Sequence, residues 1–188
     1  MRVGGPGHVV EIDETSLAKK QKYGRGKKHP EFWVFGGYDR TSKKWFAAIT
    51  FNDRTKATLS AVLAEMILPQ PLSTHIISDK FASYVSSNER HTLANNKVLK
   101  HLEYKHTWDN HSKNFVDPKT GAHTNSIEGC WEAKLKSKIK AMRGTRTMEQ
   151  VAAELDECLW RSWFFTPRAE PEHYFKGLVT AIRRHPKN

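Results

Sequence analysis

The sequence predicts an α/β fold, a mixed central sheet flanked by helices. Val9-Val10-Glu11-Ile12-Asp13-Glu14 alternates with the period of a strand. A second short apolar run, Thr74-His75-Ile76-Ile77-Ser78-Asp79, follows a stretch of helical periodicity. A helix between two strands makes them parallel neighbours. Phe32–Tyr38 and Lys44–Phe51 flank an Asp39-Arg40-Thr41-Ser42 turn, the mark of an antiparallel hairpin. Parallel and antiparallel pairs together make the sheet mixed.

In chain order, the first strand turns Val9, Glu11 and Asp13 to one face and Val10 and Ile12 to the other. A cationic linker follows, containing Lys19, Lys20, Lys22, Arg25, Lys27 and Lys28. It reads either as a solvated loop or as a phosphate-contacting one. After the hairpin, Leu59, Val62, Leu63, Met66 and Ile67 keep the i, i+3, i+4, i+7, i+8 spacing of an amphipathic helix, which Pro69 and Pro71 end. Residues Lys80–Asn88 are expected to be helical, and a last strand is expected around His101–His106. Asp109–His123 reads as a loop. Two helices, Ser126–Met142 and Met148–Phe165, complete a domain spanning residues 1–166. The basic C-terminal tail, 167–188, has room for a short helix over 174–184.

The chain has 188 residues, enough for about one domain with a real core. Apolar residues are 38% and charged residues 27%, which argues against wholesale disorder. The formal net charge is +11, a balance suited to a polyanion such as nucleic acid. Cys130 and Cys158 stand too far apart for a CxxC site and make no disulfide framework. No apolar run reaches the roughly 18 residues of a membrane span, and the glycine-rich start has no signal-peptide core. The expectation is an intracellular protein without a membrane partner.

Three acids interrupt apolar structure. Asp13 and Asp79 end the two parallel strands, at the edge where open α/β sheets carry their sites. A turn or helix-capping role explains either one alone. The third is Glu128. At about 100° per residue, Ile127, Trp131, Leu135, Ile139 and Met142 form one apolar stripe about 120° wide, with Glu128 inside it. Asn125 precedes Glu128 by three residues, so a capping box accounts for that pair equally well. Two strand acids and a helix acid can also bind two divalent cations for phosphoryl transfer, and carboxylates suit Mg²⁺ or Mn²⁺.

Lys134, Lys136, Lys138 and Lys140 form two rows beside the apolar stripe, extended by Arg143 and Arg146. They read as a solvated helix face or as DNA-phosphate contacts, and cations this dense beside the acids favour DNA. His106, His111 and His123 lack the spacing of an HExxH site, and no GxSxG occurs. Zinc and serine-hydrolase chemistry are therefore weak readings.

Three blocks then carry a resemblance. They are Gly4-Gly5-Pro6-Gly7 running into Val10-Glu11-Ile12-Asp13-Glu14-Thr15; Ile77-Ser78-Asp79 with Tyr84; and Asn110-His111-Ser112 through Phe115-Val116-Asp117-Pro118, Thr120-Gly121-Ala122-His123-Thr124-Asn125, Ile127-Glu128 and Trp131. Trp33-Val34-Phe35-Gly36-Gly37 also fits. The chain resembles DDE transposases of the insertion-sequence branch that includes the eukaryotic Merlin elements, over residues 4 to about 146.

The resemblance implies an RNase H-like fold and DNA strand cleavage and transfer with two Mg²⁺ or Mn²⁺ ions. It implies Asp13 and Asp79 as metal ligands, with Glu128 the third acid or Asn125 in its place. It further implies transposon ends and target DNA as partners, and a homodimer or larger assembly. In a eukaryotic source the protein would act in the nucleus. The stretch Asn88–His106 lengthens the spacing from Asp79 to Glu128, and Leu135 stands where the family carries a lysine. No end-binding module precedes the first block, so a catalytic core alone is expected. The alternatives are a catalytically silent or domesticated DNA-binding remnant and, behind it, a cellular RNase H-like nuclease.

Overall fold

The computed structural model describes residues 1–17, 32–69, 74–110, 116–118, 120–142, 147–166 and 170–184. Five strands form one sheet: β1 (Val9–Ser16), β2 (Trp33–Asp39), β3 (Trp45–Phe51), β4 (His75–Asp79) and β5 (Lys105–Asp109). Their order is β3-β2-β1-β4-β5. The first three strands pair antiparallel, and β4 and β5 run parallel to β1. The parallel pair β1–β4 is joined through α1 (Lys56–Met66), whose N-cap Thr55 accepts from the Thr58 backbone N–H.

The opposite parity of successive strand residues gives the sheet two apolar faces. Val10, Ile12, Phe35, Phe46 and Ile76 meet Leu59, Leu63 and Ile67 on the α1 side. Val34, Trp45 and Ala47 meet the long C-terminal helices on the other. The first of these runs as α2 (Asn125–Cys130), a π-helical turn at Trp131–Lys136, and α3 (Ser137–Ala141). The second, α4 (Met148–Phe164), is closed at its start by a Thr147–Gln150 capping box. Within the tail, α5 (Pro171–Arg184) lies on α4, where the Trp160 indole donates to the Gly177 carbonyl at 2.9 Å.

The glycine-rich start is tied down by a buried acid. The Asp39 carboxylate accepts from the Gly4 backbone N–H at 3.2 Å and bonds the His8 ring at 2.6 Å. Gly4, Gly5 and Gly7 all have positive φ, which suits residues without Cβ.

Two expected elements differ. Residues 80–88 form turns, not a helix. The Val85 N–H reaches the Phe81 carbonyl, but Ser83 Oγ donates to the Arg54 carbonyl and Ser86 Oγ to Asn88. Short polar side chains thus bind nearby groups and no helix propagates. The last strand is β5, starting at Lys105 and not at His101. Residues 100–102 are a 3₁₀ turn ended by Glu103 at φ 52°, and the pairing with β4 sets where the strand begins.

Candidate active site

Asp13 and Asp79 are side by side because β1 and β4 are parallel and in register. Glu11 pairs with Ile77, and two residues further along each strand stand the two acids. Alternation turns both to the face covered by α2. Burial pushes the Asp13 carboxyl up to about 7, and the charge of Asp79 adds to that rise. A backbone donor at Glu14 and the Trp131 indole oppose it, and Glu128 contributes the smallest push upward. The three acids singled out in the sequence therefore share one electrostatic neighbourhood.

The helix meets β1 at two points. Ile127 N–H donates to Glu11 Oε2 at 2.9 Å, and Trp131 Nε1–H donates to Asp13 Oδ2 at 3.2 Å. Trp131 lies over Gly36, where a Cβ would come within 2.6 Å of its ring. Only a glycine there lets the indole reach the strand and the Asp13 carboxylate.

Two expectations about this helix are corrected. Glu128 is not inside the apolar stripe; it is exposed. The buried residues are Ile127, Cys130, Trp131, Leu135 and Ile139. A four-residue repeat drifts about 40° per step on an α-helix, and the wider π turn takes up part of that drift. The stripe is therefore narrower than the wheel predicts. Nor do Asn125 and Glu128 form a capping box. The N-cap is Thr124, without a side-chain cap bond, and Asn125 is an exposed first-turn residue. Glu11, from the neighbouring strand, accepts the Ile127 N–H instead.

Three acids near Asp13 and Asp79 are not singled out as site residues by the sequence. Glu11 is wholly buried and paired with Arg40. Glu14, behind Asp13, accepts from the Tyr84 hydroxyl. Its carboxyl is pushed up to about 7 by burial, against that bond, with Asp13 and Asp79 adding to the rise. Asp109 ends β5 in register with Asp79 and is also wholly buried. The alternation of β1 marks Glu11 as facing a helix, but nothing in the sequence signals its partners. Asp109 falls where turn-rich composition suggests a loop.

Of the expected DNA contacts, Lys136 and Lys140 both pair with Glu132, at 2.7 and 3.3 Å. Lys134 lies 6.0 Å from the Tyr38 ring centroid, and Lys138 is exposed. Lys19, Lys20, Lys22, Arg25, Lys27, Lys28, Arg143 and Arg146 lie outside the described residues, as does His111.

Among the described residues, no three His, Cys, Asp or Glu side chains are close enough together to hold a metal ion. Asp13 and Asp79 nonetheless suit Mg²⁺, which takes one or two protein carboxylates and fills its shell with water and phosphate oxygens. A cation there would favour the charged form against burial, the main cause of the Asp13 rise, and relieve the Asp79 repulsion that adds to it. No helix of the described residues is long and apolar enough to cross a membrane.

No family model matches the chain, and no curated protein matches it. Solved structures do. A chain of the simian T-cell lymphotropic virus intasome, in complex with PP2A regulatory subunit B56 gamma, is 17% identical with a TM-score of 0.53. That match covers 88% of this chain and 51% of that one, so the present chain spans about half its length. The catalytic core domain of BIV integrase is 14% identical, TM-score 0.52, over 94% of this chain and 97% of that one. The HTLV-2 integrase catalytic core in complex with magnesium is 12% identical, TM-score 0.51, over 89% and 92%. The fold is the RNase H-like fold of integrase catalytic cores.

Proposed function

We propose that this chain is the catalytic core of a DDE transposase of the insertion-sequence branch that includes Merlin elements. It cuts DNA at transposon ends and joins them to target DNA with two Mg²⁺ or Mn²⁺ ions. The observation that carries this reading is the placement of Asp13 and Asp79 on one face of adjacent parallel strands, each two residues past the last register pair. Asp79 closes β4, whereas β1 runs three residues beyond Asp13 to Ser16 and so does not end there as the sequence suggests. The sequence strings around both acids supply the branch, and the integrase-like fold supports the reaction class.

Asp13 and Asp79 would hold the cations, and Glu128 or Asn125, both on the first turns of α2, would supply the third ligand. When bound, the ions supply Lewis acidity to the attacking oxygen and neutralise charge on the leaving one. In cleavage, a water oxygen bonds to phosphorus at the element end, the bond to the 3′ oxygen breaks, and a 3′-hydroxyl is freed. In transfer, that hydroxyl bonds to a target phosphorus and displaces the target's 3′ oxygen. Lys134, Lys136, Lys138 and Lys140 serve as phosphate contacts in this reading, and the cationic residues of 19–28 and 143–146, outside the described residues, are proposed for the same role. Joining two ends calls for at least two copies, and the HTLV-2 catalytic core is described in both dimeric and trimeric forms. DNA as substrate places the work inside the cell, in the nucleus of a eukaryotic source.

The exposure of Glu128, and the lack of a three-ligand group among the described residues, favours a second reading. In it the chain is a catalytically silent DNA-binding remnant. Mn²⁺-dependent nicking of supercoiled DNA separates the two. The first reading expects nicking by the wild type and none by Asp79→Asn, with DNA affinity unchanged. Nicking that survives in Asp79→Asn overturns the assignment of Asp79. Tight DNA binding by a wild type that makes no product with any divalent ion selects the second reading.

A further inference from the structure

Glu11 is a fully buried carboxylate in the middle strand of the sheet, and both of its oxygens are engaged. Oε1 accepts from Arg40 Nε, and Oε2 accepts from the Ile127 backbone N–H at 2.9 Å. Arg40 also reaches the segment before the helix. Its Nη2 donates to the His123 carbonyl at 2.8 Å and to His123 Nδ1 at 3.0 Å. One ion pair thus grips residues 123 and 127 from below, and Asn125 lies between the two grips.

We propose that Glu11 and Arg40 are positioning residues, which hold the start of α2, and with it Asn125 and Glu128, against the strand that carries Asp13. The inference rests on the metal-dependent reading of Asp13 and Asp79. Glu11 and Asp13 share a face of β1 two residues apart, about 7 Å along the strand. Ile127 and Trp131 are four residues apart on the helix, about 6 Å along its axis. The two spacings match, so Glu11 fastens Ile127 while Asp13 fastens Trp131. Glu128 sits on the turn between these fastenings.

The chemistry of the pair supports orientation over stability. A buried ion pair contributes little stability relative to apolar residues of the same volume, because both ions lose their hydration. What it adds here is direction: a carboxylate with two lone-pair directions set at once by a guanidinium and a helix N–H. Thr124 gives the helix no side-chain cap, so Glu11 is the acceptor that sets where the first turn begins.

The test compares wild type, Glu11→Gln and Arg40→Lys as full chains. Glutamine keeps the shape of Glu11 but can no longer accept from both donors. Arg40→Lys keeps the charge at the half-buried outer end and loses the fork that holds His123, so it serves if Glu11→Gln fails to fold. Three quantities are read: Mn²⁺ affinity by calorimetry, hydrogen exchange at the Ile127 amide, and kcat and KM for DNA nicking.

We expect Mn²⁺ affinity to fall about tenfold and Ile127 exchange to rise about tenfold or more in both variants. We also expect kcat to fall with KM for DNA unchanged, while amides of β2 and β3 keep their protection. Wild-type Mn²⁺ affinity and kcat in a folded variant overturn the positioning role alone. Equal loss of protection throughout the sheet overturns it too, by showing a purely structural pair. A wild type that binds no Mn²⁺ removes the metal reading and this inference with it.

Discussion

The indole of Trp131 donates its N–H to Asp13 at 3.2 Å, so a helix side chain holds an acid of the first strand. That bond opposes the rise of the Asp13 carboxyl that burial and Asp79 produce. It fixes one carboxylate oxygen, and the Glu14 backbone donor adds a second hydrogen bond to the same carboxyl. The same tryptophan fills the space above Gly36 and meets Trp45 edge to face, with centroids 6.1 Å apart.

Replacing Trp131 by Phe keeps most of the packing and removes the donor. Asp13 should then take up its proton more readily, and the acid limb of the pH–rate profile should move to higher pH. Mn²⁺ affinity near neutral pH should fall as protons compete better. The cost in stability should be about 0.5–1.5 kcal/mol, that of one hydrogen bond. A pH–rate profile superimposable on the wild type's would show that the bond does not tune Asp13.

The metal-free protein should lose stability as pH rises from about 4 to about 7. Asp13 and Glu14 are both raised to about 7 in the fold, so the folded chain holds protons there that the unfolded chain has released. A rise of about three pH units bounds each contribution at about 4 kcal/mol. Asp13→Asn should flatten this slope in melts across the window and raise the melting temperature at pH 8. Added Mn²⁺ should reverse the slope for the wild type and leave the variant unaffected.

Asp39 should act in the opposite direction. Burial alone would raise it, but His8, Ser42 and Thr41 donate to it and hold it below the usual carboxylate range. Its contribution is present above the unfolded carboxylate pKa and lost as pH falls through the lower folded one. Acid melts of Asp39→Asn should therefore lack this component and start from a lower stability at pH 7.

Glu132→Gln should tighten DNA binding. Glu132 is exposed and engages both Lys136 and Lys140, so its removal frees two cations. Affinity at low salt should rise about three- to tenfold, with a steeper dependence on salt concentration, and the gain should vanish at high salt. An unchanged salt slope would place those lysines away from the DNA.

Gly36→Ala should destabilise the fold by about 1–3 kcal/mol, the usual range for overpacking. Its Cβ would meet the Phe46 carbonyl oxygen and the Trp131 ring. Thermal melts measure the loss. Loss of Mn²⁺ binding at temperatures where the variant stays folded would show that Trp131 had been displaced from Asp13.

β1 to β4, α1 and α4 are legible in the sequence because each is written in local alternation or in a 3.6-residue repeat, whereas β5 is misplaced because its pairing with β4 sets where it begins. Asp13 and Asp79 are legible for the same reason: each is an acid at the end of an apolar strand pattern. Residues 80–88 mislead because the fate of Ser83 and Ser86 depends on partners at Arg54 and Asn88. Glu128 misleads because a uniform wheel cannot register a π turn, which puts it outside the buried face.

By itself the sequence determined the α/β class, the parallel crossover between β1 and β4, and the presence of Asp13 and Asp79 in those two strands, since periodicity and chain order suffice for these. That β1 runs past Asp13 to Ser16 was decided by its pairing with β2. Only the tertiary structure decided which groups those acids meet. Glu11 and Ile127 are 116 positions apart, and Trp131 and Asp13 are 118. A hydrogen bond forms over a few ångströms of space, and no local pattern records which distant donor the folded chain brings within that reach.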